Sequence, residues 1–303
     1  MLLLTLPAAS QDEPARKSAL RIEYQYVRTG DFFDESAVFG SGGDIGTTDT
    51  HAFVLSGNLP IGDKLSLFAS LPYVQKRHQG ANPHNFLEFN SFDPPDRRLV
   101  DDGDYHGGLQ DLSFGARYQF AKGPVQVSPF ISYGVPMDDY PIYGKAAIGA
   151  NLWAIPLGVQ LDFQPYFSDW RFGGNVAYVF REEPLDINVD YWLYTVSAGY
   201  YFSPRTFVSA FVFGKDTPHG VKMPYDFTDD PTYQDLADFD TELWWQHDRV
   251  LAHSFTNAGL GIDYVISERY QVSGQAWTTL RAEQVNEVDY AFSLALTVFF
   301  GGN

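Results

Sequence analysis

Along most of the chain apolar and polar residues alternate one by one, and the apolar side of the clearest runs carries no charge. Over 111–120 one face holds Leu112, Phe114, Ala116, Tyr118 and Phe120, and the other holds Asp111, Ser113, Gly115, Arg117 and Gln119. The same division recurs at 125–135, 157–164, 170–181 and 289–300. Period two is the signature of a strand whose two faces meet different surroundings. Seven further runs follow it: 191–202, 256–266 and 270–281 well, and 19–28, 50–59, 65–74 and 206–215 less regularly. Twelve antiparallel strands are therefore expected.

The connections between these runs are unequal. Short links at 60–64, 121–124, 164–169, 203–205 and 267–269 alternate with generally longer, more polar stretches, notably 80–110 and 216–249. Tight turns on one side and long loops on the other are the pattern of a transmembrane up-and-down barrel, with turns periplasmic and loops extracellular. The parity holds around the ring only if 137–153 is a loop. An even strand count then puts both ends of the barrel at the periplasmic side.

A soluble sandwich or barrel also alternates, but its polar face meets bulk water and is rich in Lys and Glu. Here the polar face is mostly Gly, Ser, Ala, Gln, Thr and Asn, and acidic residues collect in the loops. Small polar side chains suit a confined, wet interior. Trp170, Trp192, Tyr200, Phe202 and Tyr290 fall near strand ends, where amphipathic rings favour the headgroup level. The expected fold class is all-β, a transmembrane barrel over 18–300 in a bacterial outer membrane.

Composition removes other classes. Mean hydropathy is −0.22, and the longest uncharged run after the N-terminus, 146–161, is sixteen residues broken by Pro156. That is too short for a membrane-spanning helix. Cysteine is absent, so the fold does not rely on disulfides, and a net charge of −18 argues against nucleic-acid binding. Residues 1–10, MLLLTLPAAS, resemble the end of a secretory signal cleaved near Ala9 or Ser10, without its basic start.

Two segments carry a resemblance to a known family. GGLQDLSFGARYQF (107–120) resembles the Gly-rich turn, Asp-Leu pair and strand of the outer-membrane family known as putative MetA-pathway of phenol degradation proteins, and YGKAAIGANLWAIPLGVQL (143–161) resembles its loop-to-strand passage. Gln110 stands where that family's pattern would have Gly. The resemblance implies a small outer-membrane barrel that passes hydrophobic or aromatic compounds, and it supplies no catalytic residues.

No catalytic or metal-binding constellation emerges, and no cofactor is expected. The seven His lack convincing metal-ligand spacing, and DDGD at 101–104 has the flavour of a calcium loop without the rest of that motif. Acidic residues in 216–249, among them Asp226, Asp229, Asp230, Asp235, Asp238, Asp240 and Glu242, are expected to be solvated, with divalent cations bridging lipopolysaccharide as the competing reading. Face assignment points Arg21, Glu23, Arg117, Asp162, Arg171, Asp263, Arg281 and Asp289 into the lumen. There they would pair across strands and set selectivity. The expected function is a passive channel for small aromatic or hydrophobic compounds, with membrane lipid, lipopolysaccharide and solute as partners and the oligomeric state open. A non-transporting structural or adhesion barrel is the alternative. An outer-membrane phospholipase, which would need a Ser beside an outward His such as His51, is a weaker one.

Overall fold

The computed structural model describes residues 17–33, 46–80, 100–120, 123–222 and 241–301. Its strands are β1 (Ser18–Phe33), β2 (Thr47–Ile61), β3 (Leu65–Gln79), β4 (His106–Leu109), β5 (Asp111–Tyr118), β6 (Val125–Pro136), β7 (Ala154–Phe163), β8 (Trp170–Arg181), β9 (Tyr191–Ser203), β10 (Thr206–Asp216), β11 (Ser254–Ser267), β12 (Tyr270–Glu283) and β13 (Val285–Phe300). One helix, α1 (Thr241–Val250), precedes β11. No helix among the described residues is long and apolar enough to cross a membrane.

Apart from β4 and β5, each strand pairs antiparallel with its neighbours in the chain, and β1 also pairs with β13, which closes the sheet. Both β4 and β5 pair with β3, on either side of a break at Gln110, and together fill one position in the wall. The fold is thus a closed barrel of twelve strand positions. Closure removes the open edges that lipid cannot tolerate.

The two faces separate as the pleat requires. Along β1, Arg21, Glu23, Gln25 and Val27 are buried while Ile22 is 54% exposed. Along β13, Ser293 and Ala295 are buried and Leu294 is 61% exposed. Exposed apolar side chains such as Phe53, Val196 and Leu260 form the outer band. At one margin of that band Trp170 packs edge-on against Tyr200, whose ring meets Phe202.

Several strands outrun the apolar alternation at the loop end. The β2–β3 ladder continues to Thr47 opposite Gln79, well past the run at 50–59. Charge pairing carries it there: Asp49 accepts from Arg77 at 3.0 Å and lies 3.8 Å from Arg28. The segment 137–153 contains no strand, as the parity argument requires. Segment 80–110 contributes β4, and 216–249 contributes most of α1, which the absence of a clear period hid. The presumed signal remnant at 1–10, residues 81–99 and the acidic positions 226–240 lie outside the described residues.

Candidate functional site

The interior of the barrel holds the polar chemistry, in two tiers. The first lies toward the tight turns. Arg117, on β5, donates to Gln160 Oε1 at 2.7 Å and to Asn58 Oδ1 at 3.5 Å. Gln160 in turn donates to Asp162 at 2.8 Å, and Arg171 pairs with the other oxygen of Asp162 at 3.1 Å. Arg171 also reaches the Tyr201 hydroxyl at 3.5 Å.

Across the lumen, Arg21 pairs with Glu23 at 2.9 Å and reaches Ser273 at 3.5 Å. Ser273 and Gln271 both donate to Asp263. Six side chains, Arg21, Glu23, Arg117, Asp162, Arg171 and Asp263, therefore stand in one belt of three cations and three carboxylates. Their hydrogen bonds satisfy groups that would be costly to desolvate alone. A cavity of about 590 Å³ between Gly123–Pro124 and Gln164–Asp169 reaches Gln126, Asp162 and Arg171 from the turn side.

Arg281 and Asp289 stand apart from this belt, and bulges are the reason. On β12, Thr256 pairs with Arg281 and Asn257 with Thr279, so Leu280 is an extra residue that breaks the alternation. The Arg281 side chain is 73% exposed and bonds Glu283 at the loop end. On β13 the register jumps from Tyr290 to Val288, leaving Asp289 as the extra residue, and Val288 takes the buried place. One additional residue reverses parity beyond it.

From the level of the belt toward the loop end the inner wall is aromatic; the alternation puts Phe130 on this inner face, and it leaves the faces of the runs carrying Phe68, Phe207 and Phe211 unassigned. Phe68, Phe130, Phe207 and Phe211 lie flat over Gly115, Gly158, Gly199 and Gly259 of adjoining strands, so close that a Cβ on any of these glycines would strike the ring. Phe211, Phe213 and Trp277 continue this surface, with ring centroids 6.1–6.2 Å apart. The glycines opposite were the available signal, readable only once strand register is known.

At the loop end the segment 137–153 folds into the barrel as a strap. Ile148 and Tyr140 pack on inward-facing Ala52, Val54 and Val74. The break at Gln110 turns Gln110 and Asp111 inward together. Gln110 Nε2 donates to Ile148 O at 2.6 Å, and Asp111 accepts from Tyr140. Lys76 Nζ donates to Ala147 O at 2.7 Å. Asp101 caps the backbone N–H groups of Lys145 and Ala146 at 2.8 Å each, while Asp102 accepts from Asp104 N and pairs with His106. The DDGD carboxylates thus order loops. Leu152, Val189, Val221 and Val250 bring the strap, two further loops and α1 into one apolar cluster.

His51 gives no support to lipid hydrolysis. Its Nδ1 lies 2.8 Å from the Tyr24 hydroxyl and its Nε2 3.1 Å from that of Tyr105, so both nitrogens are engaged by phenols rather than a Ser. Among the described residues no group of three His, Asp or Glu side chains converges as a metal site.

Residues 43–237 match the family model described as "Putative MetA-pathway of phenol degradation". The fold is similar to that of an outer membrane channel from Pseudomonas putida F1, with TM-score 0.70 at 12% identity, covering 97% of this chain and 99% of that one. It is also similar to the translocator domain of the autotransporter NalP from Neisseria meningitidis (TM-score 0.51, 10% identity, 95% and 90% covered). The NanC porin gives TM-score 0.50 at 8% identity, with 93% and 100% covered. At these identities the likeness is one of fold. No curated protein sequence matches the chain.

Proposed function

The chain belongs to the family described as "Putative MetA-pathway of phenol degradation", and from that premise we propose that it is a passive channel for small aromatic or hydrophobic compounds. Its place is the bacterial outer membrane, where the exposed apolar band meets lipid. Tight turns face the periplasm and the strap-bearing loops face outward, toward lipopolysaccharide.

The observation that carries this reading is the aromatic inner wall that runs from the charge-balanced belt, where Phe130 and Phe207 stand beside Arg117 and Asp263, to Phe211, Phe213 and Trp277 nearer the loop end. A lumen meant only to hold a barrel's shape would be filled by its side chains, and about eight strands already suffice for that. Twelve positions give more width, and here rings are laid flat against glycines, which keeps them out of the axis. Flat rings offer an apolar surface to a passing solute. The belt, with cations and carboxylates in equal number, leaves a weak net field and admits neutral solutes. Its Arg21, Glu23, Arg117, Asp162, Arg171 and Asp263 set what selectivity there is.

Purified barrel in liposomes tests the proposal. Phenol-sized aromatic solutes should cross faster than sugars of similar size, and a barrel with a shortened strap should pass both faster. If neither form releases any solute, the channel reading fails and a structural barrel takes its place.

A further inference from the structure

On the lumen wall formed by β8 to β12, at the loop end, several buried hydrogen-bond donors have no acceptor. Lys215 points inward two residues beyond Phe213. Its Nζ lies 4.4 Å from the centroid of the Tyr191 ring, and the guanidinium carbon of Arg181 lies 5.8 Å from the same centroid. Two cations therefore flank one buried phenol.

Among the described residues neither the Lys215 ammonium nor the Arg181 side chain has a hydrogen-bonded or ion-paired acceptor. The buried Nε of Arg181, the hydroxyl of Tyr191, Nδ2 of Asn257 and Nε1 of Trp277 are all without partners. Tyr191 is 1% exposed and Asn257 0%. Every one of these groups can donate, and four of the five can only donate.

The carboxylates near them are occupied. Asp111 accepts from Tyr140, and Asp190 accepts from the Tyr178 hydroxyl and from Arg181 N. Buried donors without acceptors are rare and costly, and two like charges held together add to that cost. An anion with several acceptor lone pairs would relieve both.

We infer that this wall binds a small aromatic carboxylate, with its head on Lys215, Arg181 and Tyr191 and its ring against Phe213 and Trp277. The inference rests on the channel reading and names its solute class. The head is singly charged, because the donors are few and the surrounding wall is apolar Ala154, Val179 and Leu193. The body is aromatic, because Phe213 stands between the cations and the Phe211–Trp277 surface. Asn257, opposite Phe213 in the register, offers its free Nδ2 along the way.

Calorimetry on the folded full-length barrel in detergent micelles, with benzoate, benzyl alcohol and acetate as probes, tests this. Benzoate should bind saturably and about tenfold or more tighter than either control, a difference of about 1.4 kcal/mol. Lys215→Met should weaken benzoate about tenfold, Lys215→Arg should retain it, and Tyr191→Phe, which keeps the ring, should weaken it measurably. Benzoate binding no tighter than benzyl alcohol would overturn the inference. So would unchanged affinity in Lys215→Met, or in Tyr191→Phe should the Met variant fail to fold. Benzoate binding without release of neutral solute from liposomes would keep the site and sink the channel. Neutral solute release without benzoate binding would do the reverse.

Discussion

The Tyr140 hydroxyl donates a 2.6 Å hydrogen bond to Oδ1 of Asp111, tying the strap to the barrel wall, and itself accepts from the backbone N–H of Asn151 at 3.1 Å. One phenol thus joins wall and strap in a chain of three groups. Tyr140→Phe removes the link and leaves the carboxylate without this donor, at a cost of about 1–3 kcal/mol. Single-channel recordings in planar bilayers should show a larger or noisier conductance than wild type. Identical traces would mean that the strap is held by Gln110, Lys76 and the Ile148 packing alone.

Gly199 lies under the Phe207 ring, and the three atoms that a methyl group there would meet first all belong to that ring. Gly199→Ala should therefore push the ring toward the lumen axis. Overpacking of this kind costs about 1–3 kcal/mol. Conductance should fall while heat-modifiable mobility on gels, the mark of a folded barrel, persists. Unchanged conductance would place Phe207 away from the narrowest path.

The barrel could be read from the sequence because the pleat has a period of two and lipid enforces it on one face. Within an unbroken run parity coincides with burial, as at Arg21, Glu23 and Arg171. It fails where a bulge intervenes, as at Leu280 and Asp289, since nothing in the one-dimensional pattern marks an extra residue. Phe68, Phe207 and Phe211 were hidden for another reason: an aromatic ring suits lipid and lumen equally well by composition. What distinguishes them is a glycine on the next strand, and pairing register is a three-dimensional fact. The strap has no period at all, so only its loop character showed. Gln110, a departure from the family's pattern, turned out to hold that strap.

Asp162 sits between Arg171, which it pairs with, and Gln160, which bridges it to Arg117. Asp162→Asn keeps the shape and removes one negative charge, so two arginines on that side lose their balance. The reversal potential under a salt gradient should move toward anion preference. Breaking a buried pair by removing one partner costs about 3–5 kcal/mol, so melting should also fall. A shift toward cations, or none, would mean that the belt does not face the conducting path.

Burial, followed by the neighbouring Lys215 ammonium, pushes the His253 imidazole well below the usual histidine range. The sign of the stability effect follows from which state binds the proton first. As pH falls through about 6.5, histidine in the unfolded chain protonates while His253 in the fold does not. The stability tied to neutral His253 is thus whole above that pH and declines below it, down to the depressed folded value. Thermal melts of wild type between about pH 7 and pH 5 should drop with acid, and His253→Gln should flatten part of that slope. Below the folded value the melting curve should level off. Parallel slopes in wild type and His253→Gln would remove His253 from the acid response and leave it to the carboxylates.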